Sequence, residues 1–76
     1  MSIKLTIPRL EMSMTEGTLA EWLVEDGQDV TQGEPIYVLE TDKAAQEIEA
    51  PEAGRLVHKV AAGEIYEVGV EIGEIV

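Results

Sequence analysis

The chain repeats itself. Gly17-Thr18-Leu19 matches Gly54-Arg55-Leu56; Leu23 then aligns with Val60, Gly27 with Gly63, Val30 with Tyr66, Gly33 with Gly69 and Ile36 with Ile72, the second copy running one residue short before Gly63. Internal similarity of this kind marks a repeated structural unit. Each copy is a series of short segments rich in Ile, Val, Leu and Thr, broken by glycines, and no stretch sustains apolar residues at helical spacing. The reading is all-β. Strands are expected at Ile3 to Ile7, Gly17 to Leu23, Gln28 to Val30, Ile36 to Thr41, Ala45 to Ala50, Gly54 to Val60, Glu64 to Tyr66 and Glu71 to Val76. Two four-strand units of this size cannot each close a core alone, so they are expected to pack face to face and bury their sheet faces mutually. The expected result is a flattened antiparallel β-barrel or sandwich of two four-stranded sheets with quasi-two-fold symmetry, a single domain over residues 1–76.

That symmetry sets the junction between the copies, residues 40–47, opposite the junction made by the chain ends. Here lies Glu40-Thr41-Asp42-Lys43-Ala44, followed by the alternating Ala45-Gln46-Glu47-Ile48-Glu49-Ala50-Pro51. A lysine between two strand-like segments, in a very acidic chain, is a displayed amine and a candidate for chemistry. Asp42-Lys43 is not the Asn-Gly or Asp-Gly of a two-residue hairpin, whose turn needs positive φ, so a longer turn of ordinary geometry is expected. Moving the lysine by one position would reverse its facing or take it off the tip.

Composition narrows the function classes. A chain of 76 residues leaves little room for a buried catalytic cleft, so no enzymatic activity of its own is expected. Without cysteine there are no disulfides or thiolate metal sites, and any thiol chemistry must come from a cofactor. A formal net charge of −11 opposes binding to nucleic acid or anionic membranes and favours a basic partner surface, or serves solubility alone. No apolar run approaches the roughly 20 residues of a membrane span, Met1-Ser2-Ile3-Lys4-Leu5 does not read as a signal peptide, and the expected location is cytoplasmic.

The run Glu-Thr-Asp-Lys-Ala resembles the modification site of lipoyl domains, the swinging-arm carriers of 2-oxoacid and acetoin dehydrogenase complexes. The resemblance extends over Ile7-Pro8-Arg9-Leu10, Ser13-Met14-Thr15-Glu16-Gly17-Thr18, Trp22-Leu23, Gly27, Val30 and Gly33, and again over Ala50-Pro51, Gly54, Gly63 and Gly69. It implies a barrel-sandwich hybrid with Lys43 at a hairpin tip, carrying covalently attached lipoate. It further implies modification by a lipoate ligase, or by an octanoyltransferase and lipoyl synthase. The implied working partners are a thiamine-diphosphate-dependent decarboxylase, an acyltransferase core and a dihydrolipoyl dehydrogenase. Biotinyl domains share the fold and the displayed lysine, but their pattern is Met-Lys-Met; Asp42 and Ala44 favour lipoate. The remaining alternative is a noncatalytic interaction module whose lysine is never modified. Whether the chain is a free-standing carrier or a piece of an acyltransferase stays open.

The resemblance also offers Asp42, Ala44, Glu40, Met12 and Met14 as recognition residues for the modifying enzyme or the decarboxylase. Asp42, Glu40, Glu47 and Glu49 form either an acidic collar or a solvated strand face, the latter favoured for Glu47 and Glu49, and lack the convergent loop that a calcium site requires. Met12 and Met14 lie in the loop Arg9 to Thr15, as adaptable apolar contacts or as core. Related chains of the pyruvate and acetoin type often carry Leu-Gly where this one has Leu10-Glu11, which bears on the loop's conformation and on partner identity. His58, with no triad or zinc partner, reads as surface or edge filler. Trp22 reads as core packing or edge cover. The glycines are turn residues, and none forms a phosphate-cradling loop.

Overall fold

The computed structural model describes residues 2–76. Eight strands form: β1 (Ile3–Thr6), β2 (Glu16–Trp22), β3 (Asp29–Val30), β4 (Pro35–Glu40), β5 (Ala45–Glu49), β6 (Gly54–His58), β7 (Glu64–Glu67) and β8 (Glu71–Ile75). Every expected strand is present with its ends within two residues. They make two antiparallel four-stranded sheets, β1-β8-β6-β3 and β5-β4-β2-β7, within extents of 31 × 20 × 20 Å. No ladder joins the two sheets among the described residues, so the architecture is a sandwich.

The sheets are not the copies. Each takes two strands from the first copy (β1–β4) and two from the second (β5–β8), which corrects the picture of one repeat packed against the other. Exchanging β1 with β5, β2 with β6, β3 with β7 and β4 with β8 converts one strand order into the other. This approximate two-fold exchange reaches individual hydrogen bonds. Gly27 N donates to Leu56 O at 2.7 Å and Gly63 N to Leu19 O at 2.6 Å; Gly33 N donates to Ala50 O at 2.9 Å and Gly69 N to Ile7 O at 3.0 Å. All four glycines have φ between 85 and 93°, left-handed backbone that any side chain would strain.

The one-residue difference between the copies is a β-bulge. In β2–β4 the register runs Leu19↔Leu39 and then Glu21↔Val38, leaving Ala20 unpaired, whereas β6–β8 runs evenly through Leu56↔Ile75, Val57↔Glu74 and His58↔Gly73. Leu23 therefore corresponds to Lys59 and Val24 to Val60, a correction to the sequence alignment. It also makes Trp22 the counterpart of His58. Their rings stack with centroids 4.0 Å apart and 11° between planes. Trp22 Nε1 donates to Val60 O at 3.1 Å, and His58 Nε2 lies 2.8 Å from Val24 O, so each ring bonds the matching carbonyl of the other copy. His58 is thus part of the packing between copies rather than filler.

The core lies between the sheets. Leu19 and Leu56, and likewise Ile36 and Ile72, are equivalent pairs with no exposed surface, joined by Ile7, Leu39, Ile75 and Tyr37. Each such side chain contributes about 1.5–3 kcal/mol of hydrophobic burial. With the sheets clamped in this way, the β4–β5 hairpin projects from a fixed frame.

Candidate functional site: an amine on a braced hairpin tip

Glu40 and Ala45 form the last ladder pair of β4 and β5, leaving Thr41, Asp42, Lys43 and Ala44 as a four-residue loop. Thr41 builds it. Its backbone N donates to Ala44 O at 2.8 Å, and its Oγ1 accepts from the Lys43 and Ala44 amides at 3.3 Å each, with the hydroxyl 3.3 Å from Ala44 O. Among the described residues no non-glycine has positive φ, so the turn has the ordinary geometry expected of a longer loop. The threonine two positions before the lysine, a residue that favours local side-chain-to-backbone turns, was the sequence signal for this brace. Lys43 has a fixed backbone and a side chain that is 68% exposed.

The β1–β2 connection folds against this tip. Met14 N donates to Glu11 O at 3.1 Å, Leu10 N approaches Met14 Sδ at 3.4 Å, and Arg9 Nη1 donates to Met12 O at 3.0 Å. Met14 is buried and anchors the loop: a Cβ at Gly17 would stand 2.9 Å from its Cε and 2.8 Å from Leu39 Cδ1. Met14 is therefore core, one of the two roles the sequence left open for it, and it also lines the space beside Lys43. Met12 is 95% exposed and, with Leu10 at 39%, gives this loop its exposed apolar surface.

Glu11, which replaces the expected glycine, reaches across to the tip, its Oε2 3.1 Å from Lys43 Nζ. Its backbone needs no left-handed conformation, so the absence of glycine leaves the loop unstrained. The hydrogen bond and charge of Glu11, helped by Asp42, push the Lys43 ammonium above the ordinary lysine range. Sequence reading marked this position only as a departure and missed the contact.

Between loop and hairpin lies a groove of about 460 Å³, lined by Met14, Gly17, Thr18 and Ile65 and by the acidic side chains of Glu11, Glu16, Glu40 and Asp42. Glu40, Asp42 and Ala44 are exposed beside Lys43, whereas Glu47 pairs with Val38 and lies further along the strand face. No group of acidic or histidine side chains suited to a metal ion occurs among the described residues. The strands of the sheet that carries Lys43 hold no Lys or Arg, and Glu16 stands directly opposite Glu67.

The family model Biotin_lipoyl, described as "Biotin-requiring enzyme", matches residues 3–76. The chain belongs to the biotin/lipoyl attachment family. Members of this family are carrier domains, and an exposed primary amine on a braced tip is what such a domain must present. Over 72 residues the chain is 46% identical to the dihydrolipoyllysine-residue acetyltransferase component of the acetoin cleaving system of Cupriavidus necator, covering 93% of this chain and 19% of that protein. It is 40% identical to the corresponding component of the pyruvate dehydrogenase complex of Zymomonas mobilis, covering 97% of this chain and 19% of the relative. The dihydrolipoyllysine-residue succinyltransferase component of the 2-oxoglutarate dehydrogenase complex of Staphylococcus saprophyticus is 46% identical over 70 residues, covering 91% of this chain and 16% of that protein. The chain thus spans less than a fifth of the length of these relatives.

Proposed function

We propose that the chain is a lipoyl carrier domain in which the Lys43 side chain forms an amide with lipoate. The observation that carries this reading is the placement of Lys43: exposed, on a turn held by Thr41, at the end of a hairpin whose strands are locked into the sandwich. The site fits the group, since among the described residues the amine has no buried partner to abandon and its ionic contact with Glu11 is at the surface. When bound, lipoate supplies the acyl-accepting and redox sulfur chemistry that a chain without cysteine lacks.

The protein's own share is presentation. An amine at its ordinary pKa of about 10.4 is protonated near neutrality and needs an enzyme to deprotonate it. A fixed tip allows a lipoate ligase or octanoyltransferase to admit the side chain into its own cleft. The sandwich then holds the attachment point at one position, so that the arm's effective concentration at a partner's active site is set by the tether. The relatives are components of acetoin-cleaving, pyruvate and 2-oxoglutarate systems. By that likeness the partners are a thiamine-diphosphate-dependent decarboxylase, an acyltransferase core and a dihydrolipoyl dehydrogenase. Glu40, Asp42 and Ala44 beside Lys43, together with exposed Met12 on the β1–β2 loop, are the surface such enzymes would meet.

The test is the intact mass of protein made in lipoate-supplied cells with a lipoate ligase, beside Lys43→Ala. A lipoyl increment lost in the variant is expected. Its persistence would overturn the site, and a biotinyl increment would reassign the cofactor.

A further inference from the structure

We propose that Glu11 is a positioning residue for acylation at Lys43, holding the unmodified amine as a docked ammonium and so slowing its reaction with acyl donors that bring no base of their own. Its biological use rests on the reading of Lys43 as the modified residue; its chemistry is testable without lipoate. The pair is unusual for a surface contact in that both partners are mounted on closed turns. Glu11 sits at the start of a turn closed by Met14 N and pinned by the buried Met14 side chain, and Lys43 sits in the loop that Thr41 holds. Less freedom is lost in bringing such groups to 3.1 Å than in pairing two mobile side chains.

Acylation requires the neutral amine. Its nitrogen lone pair attacks the carbonyl of an activated acyl donor, the new C–N bond forms, and the donor's leaving group departs with its electron pair. The ammonium proton and the proton shed by the attacking nitrogen pass to solvent or to an enzyme base. Every unit of charge stabilisation that Glu11 gives the ammonium lowers the fraction able to react. Once the amide has formed, the nitrogen is uncharged and keeps one hydrogen, so Glu11 loses its ionic partner. The carboxylate therefore shields the amine from unassisted acyl donors before modification and is freed afterwards.

The experiment compares the wild-type domain with Glu11→Gln, using the N-hydroxysuccinimide ester of acetate at one pH. Peptide mass analysis reads the rate at Lys43 relative to Lys4, an exposed lysine of β1 that serves as internal reference. Glu11→Gln should accelerate Lys43 by roughly two- to five-fold, the range for an exposed ion pair, and should lower the midpoint of the Lys43 Nζ titration followed by NMR. Added salt should raise the relative rate in the wild type, a measurement that needs no variant to keep its fold, and should raise it less in Glu11→Gln, where only Asp42 still faces the ammonium. Equal relative rates and an unmoved titration would overturn the proposal. Because lipoate takes no part, such a failure would leave the carrier reading standing, and the intact-mass experiment tests that reading separately.

Discussion

Thr41→Val keeps the β-branched shape of the residue and removes the hydroxyl on which the Lys43 turn is built. Three contacts disappear, two accepted from the Lys43 and Ala44 amides and one to Ala44 O, each 3.3 Å long. Being long and exposed, together they amount to about one good hydrogen bond, ~0.5–1.5 kcal/mol. The Thr41 N to Ala44 O bond at 2.8 Å survives, and so does the burial of Leu39 that holds β4 in place. The loss should therefore stay local. Opening of the tip should rise by roughly 2- to 12-fold, while global unfolding in urea loses no more than the same ~1 kcal/mol. Amide hydrogen exchange at Lys43 and Ala44 reads the first quantity, and Thr41→Ser, which restores the hydroxyl, should recover most of the protection. Wild-type exchange in Thr41→Val, or equally fast exchange in both variants, would show that the hydroxyl does not hold the tip. Enzymatic acylation of Lys43 should follow the exchange data, falling in the valine variant and returning in the serine one.

Met14→Ala should cost about 2–5 kcal/mol in urea unfolding and release the β1–β2 loop, whereas Met12→Ala, at an exposed position, should stay within about 0.5 kcal/mol of wild type; equal costs would contradict the assignment of Met14 to the core. At Gly73 a Cβ would lie 2.7 Å from Val57 O and 3.2 Å from Trp22 Cη2, so Gly73→Ala should lose about 1–3 kcal/mol, and a neutral result would show that β6 and β8 can separate without penalty. Burial pushes the Tyr37 hydroxyl up to about 12 from 10.0, so the folded chain holds that proton more tightly than the unfolded one. Its contribution is intact below pH 10 and is lost as the pH rises toward 12, by on the order of 1–3 kcal/mol, which alkaline urea titration of wild type against Tyr37→Phe would resolve. His58→Phe keeps a ring beside Trp22 but strips Val24 O of its partner, and should cost about 1–3 kcal/mol; full stability in this variant would mean that water replaces the lost bond.

The fold was legible because its strands are short runs rich in Ile, Val, Leu and Thr and most of its turns carry glycine. What escaped was long-range pairing. A repeat implies symmetry but does not say whether a sheet is built within a copy or across copies, and the bulge at Ala20 has no glycine to announce it. At the site, Lys43 stood out by its position between strands and by its neighbours. Thr41 was passed over because threonine also fits a strand, and strand length alone left it inside β4. Glu11 could be seen to be out of pattern, but a surface contact across more than thirty positions of chain is invisible until the β1–β2 loop is folded onto the hairpin. Met14 could not be told from Met12 because the loop has no regular period.

The two-fold exchange separates what the Lys43 end shares with the repeated frame from what is added to it. Ile7-Pro8 corresponds to Ala50-Pro51 and Gly17 to Gly54, but eight residues (9–16) separate the first pair of landmarks and two (52–53) the second. The extra segment contains Glu11, Met12 and Met14. At Gly17 the space a Cβ would need is taken by Leu39 Cδ1 and Met14 Cε; at Gly54 it is taken by Ile75 Cγ2 and by Val76 O. Leu39 and Ile75 are equivalent, so the glycine is demanded twice by the same packing, and only the second occupant differs. In the first copy that occupant is the inserted loop, which walls the groove beside Lys43. In the second it is the backbone carbonyl of Val76. The exchange likewise carries the β4–β5 ladder, with Leu39 opposite Gln46, onto the β1–β8 ladder, with Ile75 opposite Ile3. The Lys43 end is therefore the common frame with a closed hairpin and a longer β1–β2 loop. Glu11–Lys43 is the ion pair that joins that hairpin to that loop.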